Sequence, residues 1–208
     1  MQREILAEHF GDLEASKERR KRLYRLIAAE MSGQPMMLRC LNILGVGLIN
    51  AFALLAVIGD VRRFERPEKL VAYIGLNPGQ RQSGTGKNVK LGVGKRGRAD
   101  IRHLLIQGAQ AVLRMGRATA LGQSGWKLFA RKGYRNVAVA AVARKLLIQV
   151  WHMLSGNPPT ALETHKSFTL KLHKLAVSIG TSLRRKLQLG DTLLQCVKEL
   201  RRRTLQSA

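Results

Sequence analysis

Leu41-Asn42-Ile43-Leu44-Gly45-Val46-Gly47, running directly into Leu48-Ile49-Asn50-Ala51-Phe52-Ala53-Leu54-Leu55-Ala56-Val57-Ile58, is the stretch on which the fold turns. An apolar run of this length exceeds an ordinary strand, so it predicts a short helix, a Gly-x-Gly turn and a second, core helix from Leu48. Its longest nearly apolar segment, 48–59, is well short of the roughly 20 residues of a membrane span. Gly45 and Gly47 lack a Cβ, which lets backbone amides approach a phosphate, and the positive end of the following helix points the same way. A helix-hairpin-helix of this kind grips a DNA backbone without reading its sequence. The same spacing also makes a plain tight turn between helices, and at this level both readings stand.

Outward from this stretch the pattern stays helical. Residues 1–35 read as one long helix, with Ile5, Leu6, Phe10, Leu13, Leu23, Leu26, Ile27 and Met31 at partial three-and-four spacing. They form a helical linker or coiled-coil arm that Gly33-Gln34-Pro35 stops. Arg66-Pro67 opens a further helix with Leu70, Val71 and Ile74 on one face and Gly75 as its stop. Helical periodicity returns at about 98–113, around 125–131, and most strongly over 136–154 with Asn136 as cap. Between 76 and 97 the chain is rich in Gly, Ser and Asn, which predicts a loop or a short hairpin. Gly156-Asn157-Pro158-Pro159 marks a linker to a basic tail with helical stretches near 166–179 and 192–203. The expected fold is mainly all-α, divided as 1–35, 36–155 and 156–208.

The charge locates the business end of the chain. Of 208 residues, 37 are Lys or Arg and 13 are Asp or Glu, a formal net charge of +24. Residues 1–35 carry 7 basic and 6 acidic side chains, 36–155 carry 20 and 4, and 156–208 carry 10 and 3. The middle block therefore holds +16, a field that attracts polyanions and that chemistry on small neutral metabolites does not require. With 45% apolar residues a core can form, and with only 5% aromatic residues base stacking is not the expected main mode of binding. Cys40 and Cys196 lie far apart in apolar-periodic segments and read as reduced, buried thiols of a cytosolic protein. No apolar secretory core opens the sequence.

Between Arg81 and Arg98 lie Arg81, Lys87, Lys90, Lys95, Arg96 and Arg98 with five glycines and no acid, a segment that a phosphodiester backbone would order. Arg98 and Arg102 share one helix face while Ile101, Leu104 and Leu105 share another, giving an apolar stripe with an Arg-lined outer side. Arg131, Lys132, Arg135, Arg144 and Lys145 extend the basic surface, and His103 and His152 are expected to be packed rather than reactive. Ser83 sits inside the basic segment. A serine that attacks a phosphodiester needs a base and a stabilised pentacoordinate phosphorus. Arg and Lys nearby could supply the second, no base is evident, and a turn serine is the alternative. Asp60, Glu65, Glu68 and Asp100 are the acids of the middle block and form no cluster that would hold divalent ions.

The blocks Leu41-x-Ile43-x-Gly45-Val46-Gly47, Ala53-Leu54-Leu55-Ala56-x-Ile58-Gly59-Asp60, Arg63-Phe64, Leu70-Val71-Ala72-Tyr73-Ile74-Gly75-Leu76-x-Pro78 and Gln82-Ser83-Gly84 resemble the C-terminal domain of the DEDD-type insertion-sequence transposases and related pilin-gene invertases. Lys95-Arg96-Gly97, Ile101-Arg102-x-Leu104-Leu105, Ala109 and Val139-Ala140-x-Val142-Ala143-Arg144-Lys145-Leu146-Leu147 continue the resemblance in order, over about 38–154. It implies DNA strand cleavage and joining, with Ser83 as the DNA nucleophile and Gly45 and Gly47 holding the backbone. It also implies an N-terminal ribonuclease-H-like domain whose carboxylates bind Mg2+, an element-encoded guide RNA, a homo-oligomer or a separately encoded N-terminal domain, and a cytoplasmic, nucleoid-associated protein without a membrane partner. No cofactor is expected in this chain itself, whose start falls in the family's interdomain linker. A truncated element that binds DNA but does not transpose alone is the expectation. The alternatives are a non-enzymatic helix-hairpin-helix module and an RNA-binding protein acting through Arg201-Arg202-Arg203.

Overall fold

The protein is described by a computed structural model covering residues 1–81, 89–94, 96–116, 119–158 and 164–205, with 78–81 and 89–93 described by their backbone. It is mainly α-helical, with one small β-hairpin. The chain divides into two compact units, one comprising Met1–Leu38 and Lys166–Ser207, the other Arg39–His165. Arm and tail residues thus share a unit, and the linker at 156–158 stays with the middle block.

The Arg39–His165 unit is built around α7 (Arg135–Leu154), which buries Ala138, Val139, Val142, Ala143, Leu146, Leu147, Val150 and Met153. It packs against α4 (Pro67–Ile74), α5 (Ala99–Arg114) and α6 (Ala120–Lys132). By length and composition alone α7 could cross a membrane, and it exceeds the apolar stretch at 48–59. Its neighbours on three sides make it the core helix of this unit. α3 (Leu48–Ile58) lies on α5, as the apolar run predicts.

Local chemistry sets several ends. Pro67 sits in the first turn of α4, Glu68 offsets the positive end of its dipole, and Gly75 closes it in the left-handed conformation at φ 84°. α6 begins five residues before its periodicity does, because Thr119 Oγ1 accepts the Gly122 N–H at 3.0 Å. Two glycines that weaken the helical pattern of α6 are demanded by packing. A Cβ on Gly125 would lie 2.6 Å from Leu113 and 2.8 Å from Val142, and one on Gly122 2.2 Å from the Gly116 carbonyl. Asn136 is not the cap of α7; Tyr134 holds that position and Asn136 lies exposed inside the first turn. The described residues within 76–97 pair as two strands, β1 (Pro78–Arg81) antiparallel to β2 (Val89–Val93), in the register Arg81↔Val89 and Gln80↔Lys90.

The other unit contains α1 (Gln2–Ser32), the start of α2 (Pro35–Cys40), α8 (His165–Ile179), α9 (Thr181–Lys186) and α10 (Leu193–Leu205). Its core is drawn from Ala28 and Met31 of α1, Phe168, Leu172, Leu175 and Ile179 of α8, and Cys196, Val197 and Leu200 of α10. The short polar α9 has no apolar stripe to announce it. Cys40 and Cys196 are buried free thiols, and burial pushes Cys40 up to about 12.

Arg203 joins three parts of this unit, donating to the Ser32 carbonyl at 3.1 Å, the Leu187 carbonyl at 3.3 Å and Glu199 at 3.0 Å. Glu199 also accepts twice from Arg202, at 2.7 Å each, and this bond above all, with the Arg203 bond beside it, holds its carboxyl down at about 2. A folded pKa below the unfolded one adds stability that is complete above about 4.5 and is lost as pH falls toward 2. Glu199→Gln is therefore expected to cost about 1–2 kcal/mol at pH 7, after allowing for solvent screening, and nothing near pH 2. Urea unfolding at pH 7, 4 and 2.5 checks this: the two proteins should converge as pH drops, and a constant gap would refute the pairing.

Candidate nucleic-acid interface

The two glycines of the opening motif have different jobs. Gly45 is left-handed at φ 79° and pressed against α5, where a Cβ would stand 2.7 Å from Val112 Cγ2 and 2.9 Å from the Gly108 carbonyl. Gly108 answers it, since its own Cβ would meet the Gly45 carbonyl at 2.6 Å. Asn50, the one polar residue of α3, donates to the Leu104 carbonyl at 3.2 Å and the Gly45 carbonyl at 3.5 Å. Gly47 instead is exposed, caps α3 in an extended conformation (φ −97°, ψ −177°) and faces open space. Of the two, Gly47 is the exposed one.

The foot of the hairpin is an interlocked pair of glycines. Gly75 (φ 84°) and Gly97 (φ 94°) approach so closely that a Cβ on Gly75 would lie 2.0 Å from the Arg96 carbonyl, and one on Gly97 2.7 Å from the Ile74 carbonyl. Arg102 stitches the two segments, its Nη1 donating to the Arg96 carbonyl at 2.8 Å and to the Ile74 and Gly75 carbonyls at 3.4 Å. These bonds give Arg102 a structural role beside the expected phosphate contact.

Arg98 caps α5 and forms a two-point pair with Asp100, Nε to Oδ1 at 3.1 Å and Nη2 to Oδ2 at 2.7 Å. Asp100 is held at about 2, first by Arg98 and then by the Ile101 N–H, while Arg98 is raised by the same pair. That carboxylate occupies the Arg98 N–H edge. Arg96 is exposed. Arg81 and Lys90 lie on the two strands; Ser83, Lys87 and Lys95 lie outside the described residues.

Two further cations stand beside the foot. Asp60 caps the 3-10 turn Val61–Arg63 through the Arg62 N–H and accepts the Arg62 Nε at 3.1 and 3.2 Å, so Arg62 is paired. Arg63 lies over two aromatic rings, 4.8 Å from the centre of Phe64 and 5.1 Å from that of Tyr73. In sequence nothing but the Phe that follows it marks Arg63.

Elsewhere, Arg131, Lys132, Arg135 and Lys145 are exposed, and Arg144 is half-buried. His103 is exposed rather than packed, 2.8 Å from the Gln107 side chain, because it falls on the outer face of α5. His152 is half-buried with its ring edge-on to Trp151. Among the described residues no three His, Cys, Asp or Glu side chains gather into a metal site. With Asp60 and Asp100 each paired to an arginine, these residues do not fit a magnesium centre.

Residues 39–124, which carry the turn, the hairpin, α5 and the start of α6, match the family model described as the transposase IS116/IS110/IS902 family. Over 154 residues, 73% of this chain, the sequence is 36% identical to a "Probable family 20 transposase" of Pseudomonas aeruginosa, covering 45% of that protein. It is 40% identical over 119 residues, 56% of this chain, to the transposase for insertion sequence element IS1111A of Coxiella burnetii, covering 32% of it. Over 148 residues, 70% of this chain, it is 30% identical to the transposase for insertion sequence element IS1328 of Yersinia enterocolitica, covering 43%. All three relatives are transposases by name. The chain spans less than half the length of each of these three relatives.

Proposed function

We propose that the Arg39–His165 unit is the DNA-binding, serine-bearing part of an insertion-sequence transposase of the serine-nucleophile, DEDD-associated kind. The observation that carries this reading is the coincidence of the family match with the +16 block and with a basic hairpin whose foot is rigidly fixed. The turn 41–47 acts as a helix-hairpin-helix in which Gly47 meets the DNA backbone and Gly45 sets the turn. Arg81, Lys87, Lys90, Lys95 and Arg96 neutralise phosphates beside Ser83, while Arg98 does so on release from Asp100. The Ser83 hydroxyl gives up its proton to a base of the partner domain as its oxygen attacks phosphorus, a phosphoserine bond forms, the P–O bond to the neighbouring deoxyribose breaks, and that sugar leaves as its hydroxyl after taking up a proton.

Magnesium and the proton transfers come from a ribonuclease-H-like domain, and a structured guide RNA directs the target. A second copy of the chain pairs through α1, which exposes Ile5, Leu6, Phe10, Leu13, Leu23 and Leu26. DNA as partner places the working protein at the nucleoid.

The test mixes the chain with element-end DNA, guide RNA and the ribonuclease-H-like domain of a matched relative, then resolves the products under denaturing conditions. A protein–DNA adduct that Ser83→Ala abolishes is expected. Absence of any adduct with the unaltered chain, alongside intact DNA binding, would leave the non-enzymatic binding module as the reading.

A further inference from the structure

Among the cations around the hairpin foot, several are already engaged, Arg96 is exposed, and Arg63 is seated on aromatic rings. Arg62 is paired with Asp60, Arg98 with Asp100, and Arg102 donates to three carbonyls. Arg63 is exposed, has no carboxylate partner among the described residues, and is placed by two rings whose centroids are 5.4 Å apart. The platform under it is anchored from three elements. Phe64 is buried, and its carbonyl accepts the Trp151 Nε1–H of α7 at 3.0 Å. Tyr73 belongs to α4, whose left-handed stop Gly75 is locked to Arg96. The turn that carries Arg63 is capped by Asp60.

A guanidinium on a mobile stem loses rotamer freedom when it grips a phosphate, whereas one already stacked on rings has lost it in advance. With ring centres 5.4 Å apart and 4.8 and 5.1 Å from Cζ, both rings lie to one side of the guanidinium, and its exposed side keeps N–H groups free to meet two phosphate oxygens. We propose that Arg63, held on the Phe64 and Tyr73 rings, is a pre-set contact to a phosphodiester of the DNA engaged at the hairpin foot. The inference rests on the DNA-binding reading above and deepens it by naming a residue and its support.

The experiment measures binding of the full chain to a fluorescent DNA duplex, and to an RNA duplex of the same sequence, across 50–200 mM salt. Each phosphate contact adds about 0.9 to the slope of log K against log salt on duplex DNA, so Arg63→Ala should lower the DNA slope by about one and weaken binding roughly tenfold. Arg63→Lys should keep the slope yet weaken binding, since a lysine retains charge without the planar fork. Tyr73→Leu should do the same by loosening the platform. Arg62→Ala, already matched by Asp60, should leave the slope unchanged. Thermal melts of each variant confirm that the helices persist. A steep slope for the unaltered chain that Arg63→Ala leaves intact on DNA, or lowers on RNA alone, overturns this proposal and spares the broader one. A flat slope for the unaltered chain overturns both.

Discussion

Gly75→Ala is expected to destabilise the Arg39–His165 unit by about 3 kcal/mol or more, the sum of a left-handed backbone for a residue with a Cβ and a forced separation of two segments. The added methyl would stand 2.0 Å from the Arg96 carbonyl and 2.6 Å from Arg102 Nη1. A flexible side-chain end could yield, but a backbone carbonyl locked to Ile74 and Gly97 cannot move without pulling Arg102 away from its three acceptors. Both costs therefore apply together, and the midpoint of thermal unfolding should fall by roughly 10 °C. Urea titration followed by circular dichroism measures the loss. A change within about 0.5 kcal/mol, the range of an ordinary surface substitution, would mean that the foot is not built as described. Because the foot orients β1 and β2, the variant should also lose DNA affinity before it unfolds.

The second large effect separates Gly45 from Gly47. Gly45→Ala meets Val112 Cγ2 at 2.7 Å and the Gly108 carbonyl at 2.9 Å from a left-handed position, so a loss of about 3 kcal/mol is expected, with DNA binding falling only in step with folding. Gly47→Val adds bulk to an extended residue with nothing within 4 Å, so stability should change by no more than about 1 kcal/mol while DNA affinity drops several-fold. Melting curves and salt titrations on both variants decide the matter. Equal affinity for Gly47→Val and the unaltered chain would remove the turn from the interface and leave it as a helix connection. One residue separates the two glycines, and in sequence a phosphate grip and a plain turn both stand because spacing carries no information about what lies across from each.

Much of the fold was legible because its signals are local. The apolar run from Leu48, the Pro67 and Gly75 ends of α4, and the periodicity of α5 and α7 each act within a turn or two of chain, so they survive in sequence. The start of α6 was missed because Gly122 and Gly125 dilute its pattern, and α9 because Thr181–Lys186 is short and polar. His103 was misplaced for a related reason: an apolar neighbourhood in sequence does not say which side of the helix the ring occupies.

The amino-acid sequence by itself determined the helical class, the location of the positive field in 36–155 and the candidate residues around Ser83, since composition and short-range periodicity are properties of the chain alone. Only the tertiary structure decided which of those groups are engaged. Arg102 reaches a carbonyl 28 residues away, Trp151 reaches one 87 residues away, and Gly45 is claimed by Gly108. Such partners are set by how helices cross, and a cation or a glycine looks the same in sequence whether its partner is a distant carbonyl or open water. That distinction is what turns a uniformly basic segment into paired, stitched and waiting arginines, with Arg63 as the one whose position two aromatic rings prescribe.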